Sequence, residues 1–106
     1  MLNAVNQFGD NCLIVATKHQ RAEHVETLCK CFLVNRNSSN YMKNSALHVA
    51  VLNDSILIVK TLIKCRVDLL IKNSDDLNCL ELAYRMGHTD LYEYLKPIIY
   101  AEVNWR

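Results

Sequence analysis

The feature that most constrains the fold of this chain is an internal repeat with a period of 33 or 34 residues. A Leu-x-x-Ala pair, two later apolar positions and an opening asparagine all recur with steps of 34 and then 33 residues. The matching positions are Leu13/Ala16, Leu47/Ala50 and Leu80/Ala83; Val25, Val59 and Tyr92; Leu28, Leu62 and Leu95; and Asn6, Asn40 and Asn73. Such a register over three copies predicts a repeat protein, in which similar units stack on their neighbours.

Each copy contains a turn, a short apolar helix, a second turn and an amphipathic helix, as the spacing of its apolar residues indicates. The three copies are placed at about 6–39, 40–72 and 73–97, within one domain covering 1–106. In the first copy Asn11 is expected to cap the first helix, because its side chain can accept a backbone N–H bond there. The second copy is the most apolar, so both of its helices are expected to be buried on two sides.

The end of the third copy carries a proline, Pro97, which is expected to stop the last helix. The segment 98–106 matches no part of the repeat. It is predicted to be a capping extension that folds Ile98, Ile99, Tyr100 and Trp105 over the third copy. A truncated fourth copy is the alternative interpretation.

The best-preserved pieces of the repeat are Ala-Leu-His-Val-Ala at 46–50 and Gly-His-Thr-Asp-Leu at 87–91. With the period, they resemble the ankyrin repeat over about residues 2–97. The resemblance implies an all-α fold, an ankyrin-repeat solenoid of stacked helix-turn-helix units with β-turn fingers. It also implies that His48 hydrogen-bonds neighbouring turns.

The copies depart from the ankyrin pattern at glycine positions. The turn glycine is kept as Gly9 but is replaced by Lys43 and Asp76, and the glycine after the second helix is replaced by Phe32 and Arg66. A residue other than glycine in a left-handed conformation costs about 1 kcal/mol. Frayed helix ends and modest stability are therefore expected.

Composition restricts the class of partner. The net charge is +1 and the pI is near 7.7, which gives no field for attracting nucleic acid or an anionic membrane. No run of 18 apolar residues occurs, so membrane insertion is not expected. The five cysteines are an odd number without paired spacing, and the N-terminus lacks the features of a secretory signal. These observations predict a cytoplasmic protein, with the nucleus as the alternative.

No catalytic or metal-binding pattern stands out in the sequence. Cys29 and Cys31 are two residues apart and cannot face one ion from a single helix, and no second ligand pair accompanies them. The acidic residues near Asp75 lack the ligand loop of a calcium site. Phosphate-binding loops and hydrolase signatures are missing. The chain is therefore predicted to be non-enzymatic, without cofactor or metal.

The ankyrin resemblance implies a concave binding surface made of turn tips and the exposed side of each first helix. Several of these positions are apolar where a turn tip is ordinarily polar, and Phe, Tyr and Met are typical of an interface centre. Packing of Phe8 and Leu77 against neighbouring turns is the alternative. The predicted partner-binding residues are Phe8, Asp10, Lys18, Tyr41, Met42, Asn44, Leu52, Asn53, Ser74, Asp75, Leu77 and Arg85.

The functional prediction is protein–protein recognition, as a scaffold, as a targeting segment (a host-directed bacterial or viral effector included) or as an inhibitor. An inhibitor here would resemble the ankyrin inhibitors of Rel-type transcription factors. The chain opens at a repeat boundary without a polar capping repeat, so further repeats of a longer parent chain, or a partner, are expected to cover that end. A self-assembling structural protein that uses this uncapped end is the alternative from another class.

Overall fold

The structure is a computed structural model that describes residues 4–104. Within that range the chain forms α-helices and one isolated antiparallel bridge between Ser39 and Ser45. The helices are α1 (Cys12–Lys18), α2 (Ala22–Lys30), α3 (Ala46–Leu52), α4 (Ile56–Lys64), α5 (Cys79–Met86) and α6 (Thr89–Asn104).

The helices are arranged in three pairs, one for each predicted copy. The first helices α1, α3 and α5 pack side by side, and α2 packs on α4 in a second layer. Each helix also packs on the other member of its pair. The expected all-α ankyrin solenoid with turns projecting at one edge is confirmed.

The first helix of every pair begins at a side-chain cap, and the three caps lie at equivalent positions of the repeat. In each, the capping oxygen accepts a backbone N–H from the residue three positions later, at 2.9–3.4 Å. The pairs are Asn11 with Ile14, Ser45 with His48, and Asn78 with Glu81. The cap expected at Asn11 is therefore present, and the same device fixes all three helix starts.

The prediction that the second copy is buried on both sides is correct for α3 and wrong for α4. Every residue from Ala46 to Val51 is buried. In α4, by contrast, Leu57 is 62% exposed and Ile56 is also exposed. The reason is that α4 packs on α2 and α3, whereas its outer face meets solvent.

The prediction that Pro97 stops the last helix is wrong, because α6 runs through Pro97 to Asn104. Leu91, Leu95 and Ile99 are four residues apart and all buried, so one apolar face continues past the proline. Burying an isoleucine side chain contributes roughly 1.5–3 kcal/mol, comparable to the cost of an interior proline.

The segment after Pro97 covers the third pair through Ile99, while Ile98 is half-buried and Tyr100 exposed. It does so as part of α6 and not as a separate segment. The predicted contribution of Trp105 falls outside residues 4–104.

The left-handed backbone is kept at most positions where the glycine is lost. Gly9 has φ 80°, and Lys43, Asp76 and Arg66 have φ of 60°, 61° and 62°. Phe32 is the exception, since it does not adopt a positive φ and α2 instead ends in an extended residue, Cys31. The conformational cost at the other three positions is therefore present in the fold.

Candidate functional site

Each of the three turns is closed around an asparagine side chain. The asparagine oxygen accepts the backbone N–H groups of the residues two and four positions later, at 2.9–3.1 Å. A backbone bond of 3.0 Å from the asparagine N–H to the carbonyl four positions later completes the turn. The asparagines are Asn6, Asn40 and Asn73, the residues that revealed the repeat. Because the three turns have the same hydrogen bonds, their tips have similar conformations.

Adjacent turns are joined to one another by hydrogen bonds between their tips. The N–H of Tyr41 donates to the carbonyl of Phe8 at 3.1 Å, and the N–H of Ser74 donates to the carbonyl of Met42 at 3.0 Å. The Ser74 hydroxyl donates to the same carbonyl at 2.7 Å. These bonds fix the register of the turns, so residues far apart in sequence form one continuous surface.

We call this surface, made of Phe8, Tyr41, Met42, Ser74 and Asp75, the turn-tip strip. Phe8 is 56%, Tyr41 71% and Met42 63% exposed, so three large apolar side chains of the strip meet solvent. Ser74 and Asp75 are exposed as well. Five of the predicted partner-binding residues are thus adjacent along the tips of the three turns.

The two aromatic side chains of the strip, Phe8 and Tyr41, are each in contact with a neighbouring residue of the fold. The Lys18 ammonium lies over the Phe8 ring, 5.1 Å from its centroid. The Tyr41 ring lies against Gly9, where a Cβ atom would be 2.6 Å from the Tyr41 Cδ1 atom. Gly9 is therefore needed for two reasons, its positive φ and the closeness of this ring. Both rings have neighbours that restrict their motion.

Asp10 was predicted to contact a partner, but the structure places its carboxylate inside the fold. The side chain is buried, pairs with the Lys18 ammonium, and accepts hydrogen bonds from Asn40 at 2.9 Å and Asn6 at 3.3 Å. Burial raises the pKa of Asp10, but these hydrogen bonds and the Lys18 charge outweigh it and hold the pKa below the ordinary 3.8. Asp10 thus joins the first and second turns.

Two other predicted residues also take part in contacts between turns. The Asn44 side chain is half-buried and accepts a hydrogen bond from Asn73 at 3.1 Å. Leu77 is half-buried against the core, and its carbonyl faces His48. Leu77 is thus partly covered by the core, whereas Phe8 remains exposed.

The remaining predicted residues lie on the first helices. Leu52 and Asn53, at the end of α3, are exposed. Arg85 is exposed on α5, where it lines a cavity of about 820 Å³ together with Tyr84 and Tyr100. Arg85 thus belongs to the C-terminal end of the stack.

Tyr84, at the same end of the stack, is not among the predicted partner-binding residues. Tyr84 is 73% exposed and forms a tilted pair with Tyr92, with ring centroids 5.5 Å apart. The residues equivalent to Tyr84 in the earlier copies, Thr17 and Val51, are fully buried by the following repeat. A tyrosine at a position that is small or aliphatic elsewhere was the available signal.

His48 has the role that the resemblance implied. Its Nε2 lies 2.8 Å from the Leu77 carbonyl, which only accepts, so Nε2 carries the proton and Nδ1 accepts from the Ser45 N–H at 3.2 Å. Burial lowers the pKa of His48, and the bond to Leu77 only partly opposes this. The ring is a neutral link between the second and third repeats.

The thiols behave as small apolar groups. None of the five cysteines forms a disulfide bond. Burial raises the pKa of Cys29 and of Cys79 to about 12, so both thiols are protonated at neutral pH. Among residues 4–104, no group of three or more His, Cys, Asp or Glu side chains is placed to hold a metal ion. No helix in the described part of the chain is long and apolar enough to cross a membrane.

These features define a helical repeat protein with a surface-exposed row of turn tips. A family model described as ankyrin repeats (3 copies) matches residues 2–73. The chain belongs to the ankyrin-repeat family. Ankyrin repeats generally mediate protein–protein interaction and the family is typically non-enzymatic. The third helix pair, α5 and α6, extends the same stack beyond the matched residues.

Curated relatives of this chain are much longer proteins. Alpha-latrotoxin-Lt1a of Latrodectus tredecimguttatus is 36% identical over 63 residues, which are 59% of this chain and 4% of that protein. Alpha-latrotoxin-Lh1a of Latrodectus hasselti is 35% identical over 60 residues, 57% of this chain and 4% of that protein. Alpha-latroinsectotoxin-Lt1a of Latrodectus tredecimguttatus is 35% identical over 75 residues, 71% of this chain. The chain thus spans 4–5% of the length of these relatives.

Proposed function

We propose that this ankyrin-repeat chain is a non-catalytic module that binds a protein partner through the turn-tip strip and the neighbouring ends of the first helices. The observation that carries the proposal is the exposure of Phe8, Tyr41 and Met42 on turns locked in register by backbone hydrogen bonds. Aromatic and Met side chains are enriched in the centres of protein interfaces.

Preorganisation supports the same proposal. Immobilising a flexible side chain on binding costs about 0.5–1.5 kcal/mol, so rings that are already restrained lose less. Lys18 restrains Phe8 and the backbone at Gly9 supports Tyr41. The strip is an exposed row of side chains on three turns, which suits a protein partner better than a small molecule. We propose a scaffold, targeting or inhibitory role for such a module.

Cysteines that form no disulfide bond support placing the protein in a reducing compartment, and we propose the cytoplasm, with the nucleus as the alternative. Two of the five thiols, Cys29 and Cys79, are buried and protonated, consistent with thiols kept as apolar core groups.

The test compares capture of proteins from a lysate of the cells that express the chain. Tyr41→Ala combined with Met42→Ala is expected to lose a prey that the wild type and Leu57→Ala both retain. Leu57 is a matched control, since it is an exposed apolar residue on the outer face of α4. The Tm of the double variant should stay within a few degrees of wild type. Equal capture by all three proteins would contradict the proposal.

A second candidate function, end-to-end association, is favoured by the exposed face of the first repeat. Val15 and Leu28 are only half-buried, whereas their equivalents in the second and third repeats are buried by the preceding repeat. The equivalents are Val49 and Leu82 for Val15, and Leu62 and Leu95 for Leu28. This face also lines a cavity of about 650 Å³ that includes Val5 and Cys12.

Either a second copy or further repeats of a longer chain would cover this face, and sedimentation velocity over a range of concentrations tests the first. If copies associate through the face, the wild type sediments faster at high concentration and Val15→Lys does not. Leu57→Lys, on the outer face of α4, controls for the added charge. A wild type that is monomeric at every concentration would exclude self-assembly.

A further inference from the structure

A cavity, which we call the rear groove, lies between the C-terminal ends of α2 and α4. It is a cavity of about 610 Å³ and shares no residue with the turn-tip strip. Its lining residues are Glu26, Cys29, Lys30, Phe32, Val34, Arg36, Thr61, Lys64, Cys65 and Arg66. This volume lies within the range of ligand-binding clefts, about 300–1,000 Å³.

The rear groove concentrates positive charge in a nearly neutral chain. Four of its lining residues are Lys or Arg and one is Glu, although the whole chain carries only +1. Glu26 pairs with Lys30 at 3.0 Å. The salt bridges found within residues 4–104 involve neither Arg36, Lys64 nor Arg66. Within those residues the three cations form no ion pair, although, after the hydrogen bond from Lys30, the Lys64 charge also helps to lower the pKa of Glu26.

The favourable interaction of a cation with a helix C-terminus explains the position of only two of these four Lys and Arg residues. Lys30 and Lys64 lie in the last turns of α2 and α4, where a cation is favourable beside the free carbonyl groups. Arg36 and Arg66 lie beyond the helices. The Arg36 guanidinium donates to the Cys65 carbonyl at 2.7 Å, which ties the connection after α2 to the end of α4. This contact holds one cation at the wall of the groove.

Phe32 and Arg66 occupy equivalent positions in adjacent repeats, at the place where the ankyrin pattern has glycine. Phe32 is 92% exposed, and Arg66 is kept in a left-handed conformation with φ 62°. Glycine would remove that strain, so the folded chain gains nothing in backbone stability from Arg66. Both large side chains line the same cavity. A ligand that contacts an aromatic ring and a cation together explains why both are present.

We propose that the rear groove binds an acidic peptide segment of a protein partner, with carboxylates at Arg36, Lys64 and Arg66 and one apolar side chain against Phe32. Charge complementarity selects the acidic ligand. Single-stranded nucleic acid is less well suited, since it is bound by several stacking aromatics along a continuous basic track, and Phe32 is the aromatic residue of this groove. The rear groove shares no residue with the turn-tip strip, so the proposal for either surface can be refuted without refuting the other.

The test measures fluorescence anisotropy of a fluorescein-labelled hexapeptide made of Asp and Glu around one Leu, at low salt. Arg66→Gly is expected to weaken binding by about fivefold, the effect of losing one partly desolvated ion pair. Its Tm should be unchanged or higher, because glycine tolerates the positive φ. Lys43→Gly is the matched control: it also removes an exposed cation with a positive φ, but outside the groove.

Phe32→Ser tests the aromatic contact without changing charge, and should weaken binding of the Leu-containing peptide but not of the same peptide with Leu replaced by Ser. Loss in Arg66→Gly and Phe32→Ser with retention in Lys43→Gly supports the proposal. Equal loss in both glycine variants, or no binding by the wild type, overturns it. Tighter binding of a labelled oligo-uridine RNA with the same dependence on Arg66 also overturns it and assigns the groove to nucleic acid.

Discussion

Replacing His48 by alanine is expected to weaken the contact between the second and third repeats and so to lower the free energy of unfolding. The ring is buried, its Nε2–H donates to the Leu77 carbonyl at 2.8 Å, and its Nδ1 accepts from the Ser45 N–H at 3.2 Å. The first bond joins α3 to the turn before α5, and the second completes the cap at the start of α3. In His48→Ala the Ser45 N–H loses its acceptor, and the Leu77 carbonyl keeps only its bond from the Asn73 N–H.

The size of the effect follows from these two contacts. Leaving the buried Ser45 N–H without an acceptor costs about 1–3 kcal/mol, and losing one of the two hydrogen bonds to the Leu77 carbonyl costs about 0.5–1.5 kcal/mol. The expected loss in the free energy of unfolding is therefore roughly 2–4 kcal/mol, a large part of the 5–15 kcal/mol typical of a domain. For about 100 residues this lowers the Tm by roughly 10–25 °C.

The same residue should make stability depend on pH. Burial lowers the pKa of His48 below the ordinary 6.5, so the unfolded chain takes up a proton before the folded chain does. Stability is then fully present above pH 6.5 and falls as the pH drops from 6.5 towards the lowered folded value. The slope contributed by this one group is at most about 1.4 kcal/mol per pH unit.

The assay is urea unfolding followed by circular dichroism at pH 7.5 and pH 5.5, for the wild type, His48→Ala and His24→Ala. His24 is exposed on α2 and controls for loss of an imidazole. The difference between wild type and His48→Ala should shrink by up to about 1.4 kcal/mol at the lower pH. A difference below about 1 kcal/mol at pH 7.5, or one that does not change with pH, would refute the reasoning.

Three further predictions concern other contacts. Gly9→Ala should destabilise the fold by about 1–2 kcal/mol, because alanine is strained at the positive φ and its Cβ atom would meet the Tyr41 ring. In urea unfolding, the part of this loss that is due to the ring should vanish when Gly9→Ala is made together with Tyr41→Ala. Pro97→Ala should raise the Tm by several degrees in a thermal melt, since proline is disfavoured inside α6; an unchanged Tm would contradict a continuous helix. Asp10→Asn should lower the free energy of unfolding at pH 7. Because the pKa of Asp10 is lowered in the folded protein, the wild type loses this stabilisation as the pH falls from 3.8 through the lowered pKa, and the difference between the two proteins in urea unfolding should shrink there.

Much of the architecture was available from the sequence because each repeat encodes it locally. A helix pair buries one face, so its apolar positions recur with the repeat, and Asn11 indicated where the first helix begins. Three copies in register then leave little freedom in how the units stack. The period thus determined the repeat architecture and the helix pairs, and the resemblance to the ankyrin repeat added the row of turn tips and the hydrogen-bonding role of His48.

Only the tertiary structure decided which of those positions meet solvent and what they contact. Asp10 and Phe8 are neighbours on one turn, yet Asp10 is buried against the next repeat and Phe8 is exposed. Pro97 lies within a helix because Ile99 has a surface to pack on. The rear groove brings together positions 32 and 66 from different repeats. The physical reason is that local pattern specifies how a residue faces its own helix, whereas its contacts across repeats depend on side chains about 30 residues away.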